Sequence, residues 1–396
     1  MPASPESIYI CTKLVPKHSM ERSHKNDYLT AAELRKRAKS KIPKFIFQYL
    51  DGGCNDNINL KKNTKEIGDI ELKPFYIREH KEADLRTELF GHVYDAPFGI
   101  APMGLQGFMW PNSPEILARA AAKYNIPFII STLTTCTVER ISELTEGRAW
   151  FQLYHPKEPE FRDQLLKKVA DAGCPVLVLI ADMPSKGYRP WDVHNGFDMP
   201  PEISIRNIFQ MMARPEWVLK TIYHGRPTFA IMKSFENAEE GHFYFDHKLD
   251  ERKIAEIRDR WKGKLVIKGI SSEEDTEAAT RLGADGIIVS NHGGRQLDVG
   301  QSAIAMLGPI AKKYEGKIKI MMDSGLRTGP DIARSLASGA EFTFLGRNFM
   351  YAVAALGALG GEHMIRSLKI QLKQVMEQIS CVKVKDLKNH LVKRED

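Results

Sequence analysis

From about residue 97 onward, short β-prone runs alternate with longer stretches of helical period. The runs fall at 98–103, 127–131, 149–153, 176–182, 264–268, 286–290, 317–322 and 342–345. Between them lie helical stretches at 115–124, 138–144, 160–172, 251–260, 273–282, 303–314 and 331–337. A strand run, a helical stretch and a further strand run is the pattern of βαβ units on a parallel sheet. About eight such units in series predict an α/β chain closed into a (β/α)8 TIM barrel. An open doubly wound sheet fits less well, because no GxGxxG occurs anywhere in the chain.

Two parts lie outside this rhythm. Residues 26–96 read as helices followed by a mixed, Gly-punctuated stretch, expected to cap the barrel. Residues 195–250 form an insertion after the fourth strand. It sets Phe209, Met211, Met212, Trp217, Val218, Ile222 and Tyr223 among Arg206, Arg214, Lys220 and Arg226. Two readings stay open for it: a lid packed over the barrel mouth, or a surface that docks on a membrane or partner. Length alone, 396 residues, favours two or three domains, but barrels often run longer as one unit. We therefore expect one domain over 26–396, with 195–250 as its lid and 1–25 as a flexible tail.

Composition narrows the partners. Lys and Arg number 57 against 50 Asp and Glu, a net charge of +7 without long blocks of one sign. That balance suits phosphates, carboxylates or an acidic membrane surface and is too weak to argue for nucleic acid. The five cysteines, Cys11, Cys54, Cys136, Cys174 and Cys381, are odd in number, widely spaced and without a CxxC pair. Neither a disulfide framework nor a zinc site is expected, and a reducing compartment is the default. The longest apolar runs, 175–181 and 351–360, fall short of the roughly 18 residues of a spanning helix. The first 25 residues carry no sustained apolar core, so no secretory signal is expected, and two readings stay open for them, a loose tail or an organelle presequence. Together these point to the cytoplasm.

In such a barrel the chemistry sits where strands end and βα loops begin. The predicted ends carry Gln152 and Tyr154, Asp182 and Arg189, Lys268, the segment 290–296 with Ser290 and His292, Asp323 to Arg327, and Gly346 with Arg347. This rim is polar, mixed in charge and rich in donors, which marks a catalytic site. Gly325 and Gly346 let backbone N–H groups come close, and Arg327 and Arg347 can each grip phosphate with paired hydrogen bonds. A phosphate-bearing ligand is expected there, although turn glycines beside surface arginines would read the same. A lone loop histidine is often structural, yet His292 follows a strand end and precedes two glycines and an arginine. A neutral imidazole can take a proton near neutral pH, and a carboxylate on its other nitrogen would orient it. Asp182 can fill that role, or it is a turn former. Arg189 and Arg295 can bind a substrate carboxylate, and Lys268 can face an anion developing on a cofactor.

The segment Ser290-Asn291-His292-Gly293-Gly294-Arg295-Gln296-Leu297-Asp298 resembles the signature of the FMN-dependent L-2-hydroxy acid oxidases and dehydrogenases. That family includes glycolate oxidase, lactate oxidase, mandelate dehydrogenase and bacterial respiratory L-lactate dehydrogenase. Supporting matches are Tyr49-Leu50-Asp51-Gly52-Gly53, Ala101-Pro102, Trp150-Phe151-Gln152-Leu153-Tyr154, Ile267-Lys268-Gly269, Asp323-Ser324-Gly325 and Leu345-Gly346-Arg347. The likeness runs from about Tyr28 to about Gly360, and many motifs in the right order make it specific.

The resemblance implies a TIM barrel with FMN at its mouth. His292 would be the catalytic base, supported by Asp182. Arg295 and Arg189 would bind the substrate carboxylate, helped by Tyr28, and Tyr154 would hydrogen-bond the substrate hydroxyl. Lys268 would stabilise reduced flavin. Ala101, Pro102 and Met103 would lie by the isoalloxazine, with Ser131, Gln152 and Ser290 contacting flavin atoms. Asp323, Gly325, Arg327, Gly346 and Arg347 would hold the ribityl chain and phosphate.

Departures from the pattern concern tuning. Ile180 stands where the family commonly has Thr, Met103 follows Ala-Pro where smaller or polar residues are common, and residues 56–60 depart from the usual Glu-x-Thr-Leu. The long insertion and Leu133 are more similar to the respiratory lactate and mandelate dehydrogenases than to soluble oxidases. The reaction expected by resemblance is oxidation of a small L-2-hydroxy acid, foremost L-lactate. A quinone is the expected acceptor, with oxygen or another acceptor as alternatives, and peripheral contact with the cytoplasmic face of a membrane is expected. A homotetramer follows from the same likeness. An oxidase or biosynthetic enzyme for a larger 2-hydroxy acid, and a non-catalytic flavin-binding scaffold, are the alternatives.

Overall fold

The computed structural model describes residues 29–197, 203–225, 227–233, 245–246 and 248–392. Tyr28, Arg226, Cys11 and the expected tail lie outside the described residues. Among those described, eight parallel strands form one sheet: β1 (Phe98–Ile100), β2 (Ile129–Ser131), β3 (Trp150–Leu153), β4 (Val176–Ile180), β5 (Lys264–Ile270), β6 (Gly286–Val289), β7 (Lys319–Met322) and β8 (Phe342–Leu345). Each pairs in parallel with its sequence neighbour from β2 through to β8, and β8 pairs back onto β1. A single parallel bridge closes the ring, Ile100 opposite Phe128, with the Ile100 N–H donating to Pro127 O at 2.9 Å. The TIM barrel expected from the alternation is therefore present.

Strand periodicity decides which side chains point inward. Val176 and Val178 of β4, Val266 of β5, Ile288 of β6, Met321 of β7, and Phe342 and Phe344 of β8 share one interior cluster with Ile129 and Trp150. Their alternates, such as Leu177, Leu265, Ile287 and Ile320, pack outward against the helices. The antiparallel hairpin of Thr87–Leu89 with His92–Tyr94 plugs the bottom of the ring through Leu89, Phe90 and Tyr94. Continuing the inward alternation by one step reaches Ser131, Gln152, Ile180, Lys268, Ser290 and Asp323. The polar layer of the mouth is thus set by the same period of two that builds the apolar core beneath it.

The connecting helices begin on strong caps. Ser272, Ser302 and Thr328 each accept the N–H three residues on, and Thr328 forms a capping box with Asp331. Three helices precede the barrel: α1 (Ala31–Lys41), α2 (Lys44–Asp51) and α3 (Ile58–Gly68). Two helices after β8, Arg347–Leu356 and Gly360–Gln378, were not expected from periodicity, and the first of them packs on α1. The small, apolar residues of the first are buried nearly all round, so no polar face marks it in the sequence, whereas the second buries one apolar face and turns polar residues such as Gln374 and Gln378 outward.

The insertion contributes Ile205–Met212 and Pro215–His224. Trp217 is buried and its Nε1 donates to Met109 O at 3.2 Å, while Arg214 Nε donates to Ile42 O. The opposite face leaves Ile205, Phe209, Met212, Leu219, Ile222 and Tyr223 exposed.

Candidate active site

The strand ends surround a cavity of about 500 Å³, a volume typical of cofactor and substrate sites. Six basic side chains, Lys186, Arg189, Lys268, Arg295, Arg327 and Arg347, face it against two carboxylates, Asp192 and Asp323. The excess of positive charge favours an anionic occupant.

At the centre is His292. Its Nδ1 lies 2.9 Å from Asp182 Oδ1. Burial works to raise the Asp182 pKa, but the His292 and Lys268 charges outweigh it and hold the carboxyl below its ordinary range. An ionised carboxylate only accepts hydrogen bonds, so His292 Nδ1 is the donor to Asp182 and Nε2 is the ring nitrogen left to exchange a proton in the cavity. The second carboxylate oxygen, Oδ2, is buried without a hydrogen-bond partner. Gly269 is required beside it. It sits at φ 94° where the β5–β6 register shifts, and a Cβ there would come within 2.6 Å of Asp182.

Lys268 is 3% exposed and donates to Ser290 Oγ at 2.9 Å, with Asp323 Oδ2 at 3.2 Å. Burial opposes its charge, but Asp323 and Asp182 outweigh the penalty and raise its pKa. Gln152 is oriented by Ser131, whose hydroxyl donates to Oε1 at 2.8 Å. That leaves Gln152 Nε2 buried with no partner in the protein. An unpaired buried amide costs roughly 1–3 kcal/mol, so a ligand acceptor at this point would satisfy it. Burial lifts the Tyr154 phenol well above its usual range, and its ring packs on Phe245 at 5.5 Å.

The arginines divide into two kinds. Arg189 faces the cavity beside Asp192 at 3.6 Å, and its Nε is buried and unpartnered. Arg295 also faces the cavity, but its Nη1 donates to Tyr49 O and Gly52 O and its Nη2 to Asp192, with the guanidinium over the Tyr49 ring. Arg347 donates to Leu50 O, Gly52 O and Gly293 O. Burial, with Arg327 nearby, brings its pKa down to about 10. Arg295 and Arg347 thus tie the cap and the His292 loop to the barrel as well as facing the cavity.

Most expected residues converge. Ala101, Pro102, Met103, Gln152, Tyr154, Arg189, Lys268, His292, Arg295, Asp323, Gly325, Arg327, Gly346 and Arg347 all line the one cavity. Ser131, Ser290 and Asp182 stand behind it and orient Gln152, Lys268 and His292 in turn. Ile180 and Leu133 line it as well. Sequence reasoning missed Asp192, which is buried between Arg189 and Arg295 and has its pKa raised by that burial. Its spacing of three from Arg189 was the available signal. Tyr49 also lines the cavity, with its ring beneath Arg295.

A family model for FMN-dependent dehydrogenases matches residues 38–394. Curated L-lactate dehydrogenases are similar over most of their length. That of Vibrio parahaemolyticus is 38% identical, covering 92% of this chain and 98% of the relative. That of Ectopseudomonas mendocina is 36% identical, covering 94% and 99%. Among solved structures, a monotopic membrane protein, (S)-mandelate dehydrogenase, superposes with a TM-score of 0.87 at 32% identity, covering 92% of this chain and 99% of its own. A mandelate oxidase reaches 0.79 at 29% identity, covering 93% and 98%.

Proposed function

This chain belongs to the FMN-dependent dehydrogenase family and is an FMN-dependent 2-hydroxy acid oxidoreductase; we propose that its substrate is L-lactate, that His292 is its base, and that a membrane quinone is its electron acceptor. The observation that carries the reading is the His292–Asp182 pair at 2.9 Å at the mouth of a basic cavity.

The cavity residues suit FMN. The orphaned Gln152 Nε2 offers a donor to a flavin carbonyl, and buried Lys268 offers a cation to the same ring. Ala101, Pro102 and Met103 supply a wall for the isoalloxazine, with Ser131 and Ser290 acting through Gln152 and Lys268. Asp323 and Gly325 suit the ribityl chain, and Arg327, Gly346 and Arg347 the phosphate. Bound there, FMN supplies the two-electron acceptor that no amino-acid side chain provides.

The rest of the chemistry falls to the protein. Oxidation of R–CH(OH)–COO⁻ to R–CO–COO⁻ releases two electrons and two protons. Arg189, with its free Nε, holds the substrate carboxylate, and Arg295 fixes the wall beside it. Tyr154, kept protonated by burial, donates to the substrate hydroxyl oxygen. His292 Nε2 takes one of the two protons and Asp182 stabilises the imidazolium that results, while the other proton would go with the electron pair to the acceptor that bound FMN supplies. Asp192 balances the two arginines and keeps them from repelling each other.

The names of the curated relatives favour L-lactate. A second reading, a larger acid, is favoured by Phe197, Phe245, Met109 and Leu133 on the cavity wall. Quinone and membrane are supported by the exposed apolar side of Ile205–Met212 and Pro215–His224, which carries Arg206. No helix among the described residues is long and apolar enough to cross a membrane. The reading is therefore peripheral attachment, at the cytoplasmic face. The test is to add L-lactate without oxygen to the purified yellow protein, then offer oxygen or a quinone analogue. Bleaching by lactate and faster recovery with the quinone support the proposal. Bleaching only by aryl acids, or full-rate peroxide formation with oxygen, argues against it.

A further inference from the structure

Beneath the loop that carries His292 lies a cluster of three carboxamides from two distant stretches of chain, two of them buried and the third, Asn291, half-buried. Asn59 and Asn63 stand one turn apart on α3, outside the barrel, and are 0% and 1% exposed. Residues four apart share a helix face, and both meet Asn291, the residue before His292. Asn63 Nδ2 donates to Asn291 Oδ1 at 2.8 Å, and Asn291 Nδ2 donates back to Asn63 Oδ1 at 2.8 Å. Asn291 Nδ2 also lies 2.9 Å from Asn59 Oδ1. Asn59 Nδ2 in turn donates to Leu297 O at 2.9 Å, beyond the other end of the loop.

These contacts bear on the geometry of the imidazole. His292, Gly293 and Gly294 form a left-handed run at φ 57°, 67° and 72°. The Asn291 side chain spans that run, since its Oδ1 accepts the Gly294 N–H at 3.1 Å. Gly294 also rests on α3, where a Cβ would come 2.6 Å from the Leu60 backbone.

We propose that Asn59 and Asn63 are positioning residues, which hold the Asn291 carboxamide and thereby set the turn that aims His292 at Asp182 and the cavity. The proposal rests on His292 being the base. A carboxamide carries its donor and its acceptor side by side, which lets Asn63 accept from and donate to Asn291 in a reciprocal pair. A carboxylate would oppose Asn291 Oδ1 with a second acceptor, and an apolar side chain would take away the donor that faces Oδ1, leaving the Asn291 amide held only by Asn59, Gln301 O and the Gly294 N–H. Asn59 stands where the family's usual Glu-x-Thr-Leu has Thr. A threonine hydroxyl could accept from Asn291 but would lose the paired amide donors.

The test compares Asn63→Ala, the milder Asn59→Thr and His292→Ala. For each, anaerobic flavin reduction by L-lactate is measured per bound FMN, and a crystal structure of each asparagine variant is solved. Asn63→Ala is expected to slow reduction at saturating lactate about tenfold to 100-fold, because small misplacements of a reacting group cost rates of that order. The half-saturating lactate concentration is expected to move less than about threefold. The imidazole is expected to be drawn away from Asp182. A rate per bound FMN within about twofold of the parent, or an unmoved His292–Asp182 pair, would overturn the proposal. If Asn63→Ala does not fold, Asn59→Thr is judged by the same criteria, with slowing of at least about threefold expected. The imidazole position tests the positioning by itself, whatever His292→Ala does to the rate.

Discussion

Asp182 and His292 come from different strand ends of the barrel, 110 residues apart in sequence, yet their side chains meet at 2.9 Å through Oδ1 and Nδ1. The contact fixes which ring nitrogen holds the proton, and it leaves one carboxylate oxygen buried and unpaired. Asp182 is therefore held in place for the imidazole more than for the fold.

Asp182→Asn keeps the shape but removes the charge that supports the imidazolium. Reduction of FMN by L-lactate should slow by about 10²–10⁴-fold, measured anaerobically by stopped flow. The stability effect has a defined sign. The Asp182 pKa is depressed in the folded protein from its ordinary value of 3.8. Its contribution is thus complete above that value and fades as pH falls through the folded-state value. The melting-temperature gap between parent and Asp182→Asn should shrink below pH 3.8. A gap that widened with acid would contradict the assignment.

Arg189→Met should weaken substrate binding while leaving FMN content intact. Hydrogen bonds to a charged group contribute about 1.5–3 kcal/mol, so KM for L-lactate should rise roughly tenfold to 100-fold. An unchanged KM would move the carboxylate site elsewhere.

Lys268→Met should be costly in two ways. It leaves Asp323 buried without its cation, a loss of about 3–5 kcal/mol in stability, visible in chemical unfolding of the apoprotein. It should also lower the reduction potential of bound FMN, because a positive charge beside the ring is gone. A potential equal to the parent's would separate Lys268 from the flavin.

The exposed face of the insertion should govern attachment to lipid. Replacing Ile205, Phe209 and Ile222 together by Asp should reduce sedimentation with anionic phospholipid vesicles by at least about tenfold, since each buried apolar side chain contributes about 1.5–3 kcal/mol. Activity with a water-soluble acceptor should be unchanged. Equal sedimentation of parent and variant would place the contact on another surface.

Much of the barrel was legible because strand and helix periods differ so plainly. The helices Glu251–Arg260 and Ala303–Tyr314 fall where their spacing put them, and the β-runs match the strands to within three residues, the run at 264–268 stopping two short of Ile270. The polar mouth could be read because Gln152, Lys268, Ser290 and Asp323 continue the inward alternation of their strands. The first helix after β8, Arg347–Leu356, was hidden by uniform burial. In the insertion, composition could not separate Trp217, which turns inward, from Phe209 and Tyr223, which stay exposed. Nor could it show that the Arg295 and Arg347 guanidinium groups end largely on backbone carbonyls. The carboxamide cluster joins residues more than 200 positions apart, each an unremarkable surface type in sequence.

The central claim is tested most directly by His292→Ala, mixed with L-lactate in the absence of oxygen while the flavin absorbance is followed. The expected result is a yellow protein with full FMN content whose bleaching is slower than the parent's by about 10²–10⁴-fold. Bleaching at the parent's rate would show that the proton leaves by another group and that this imidazole is not the base.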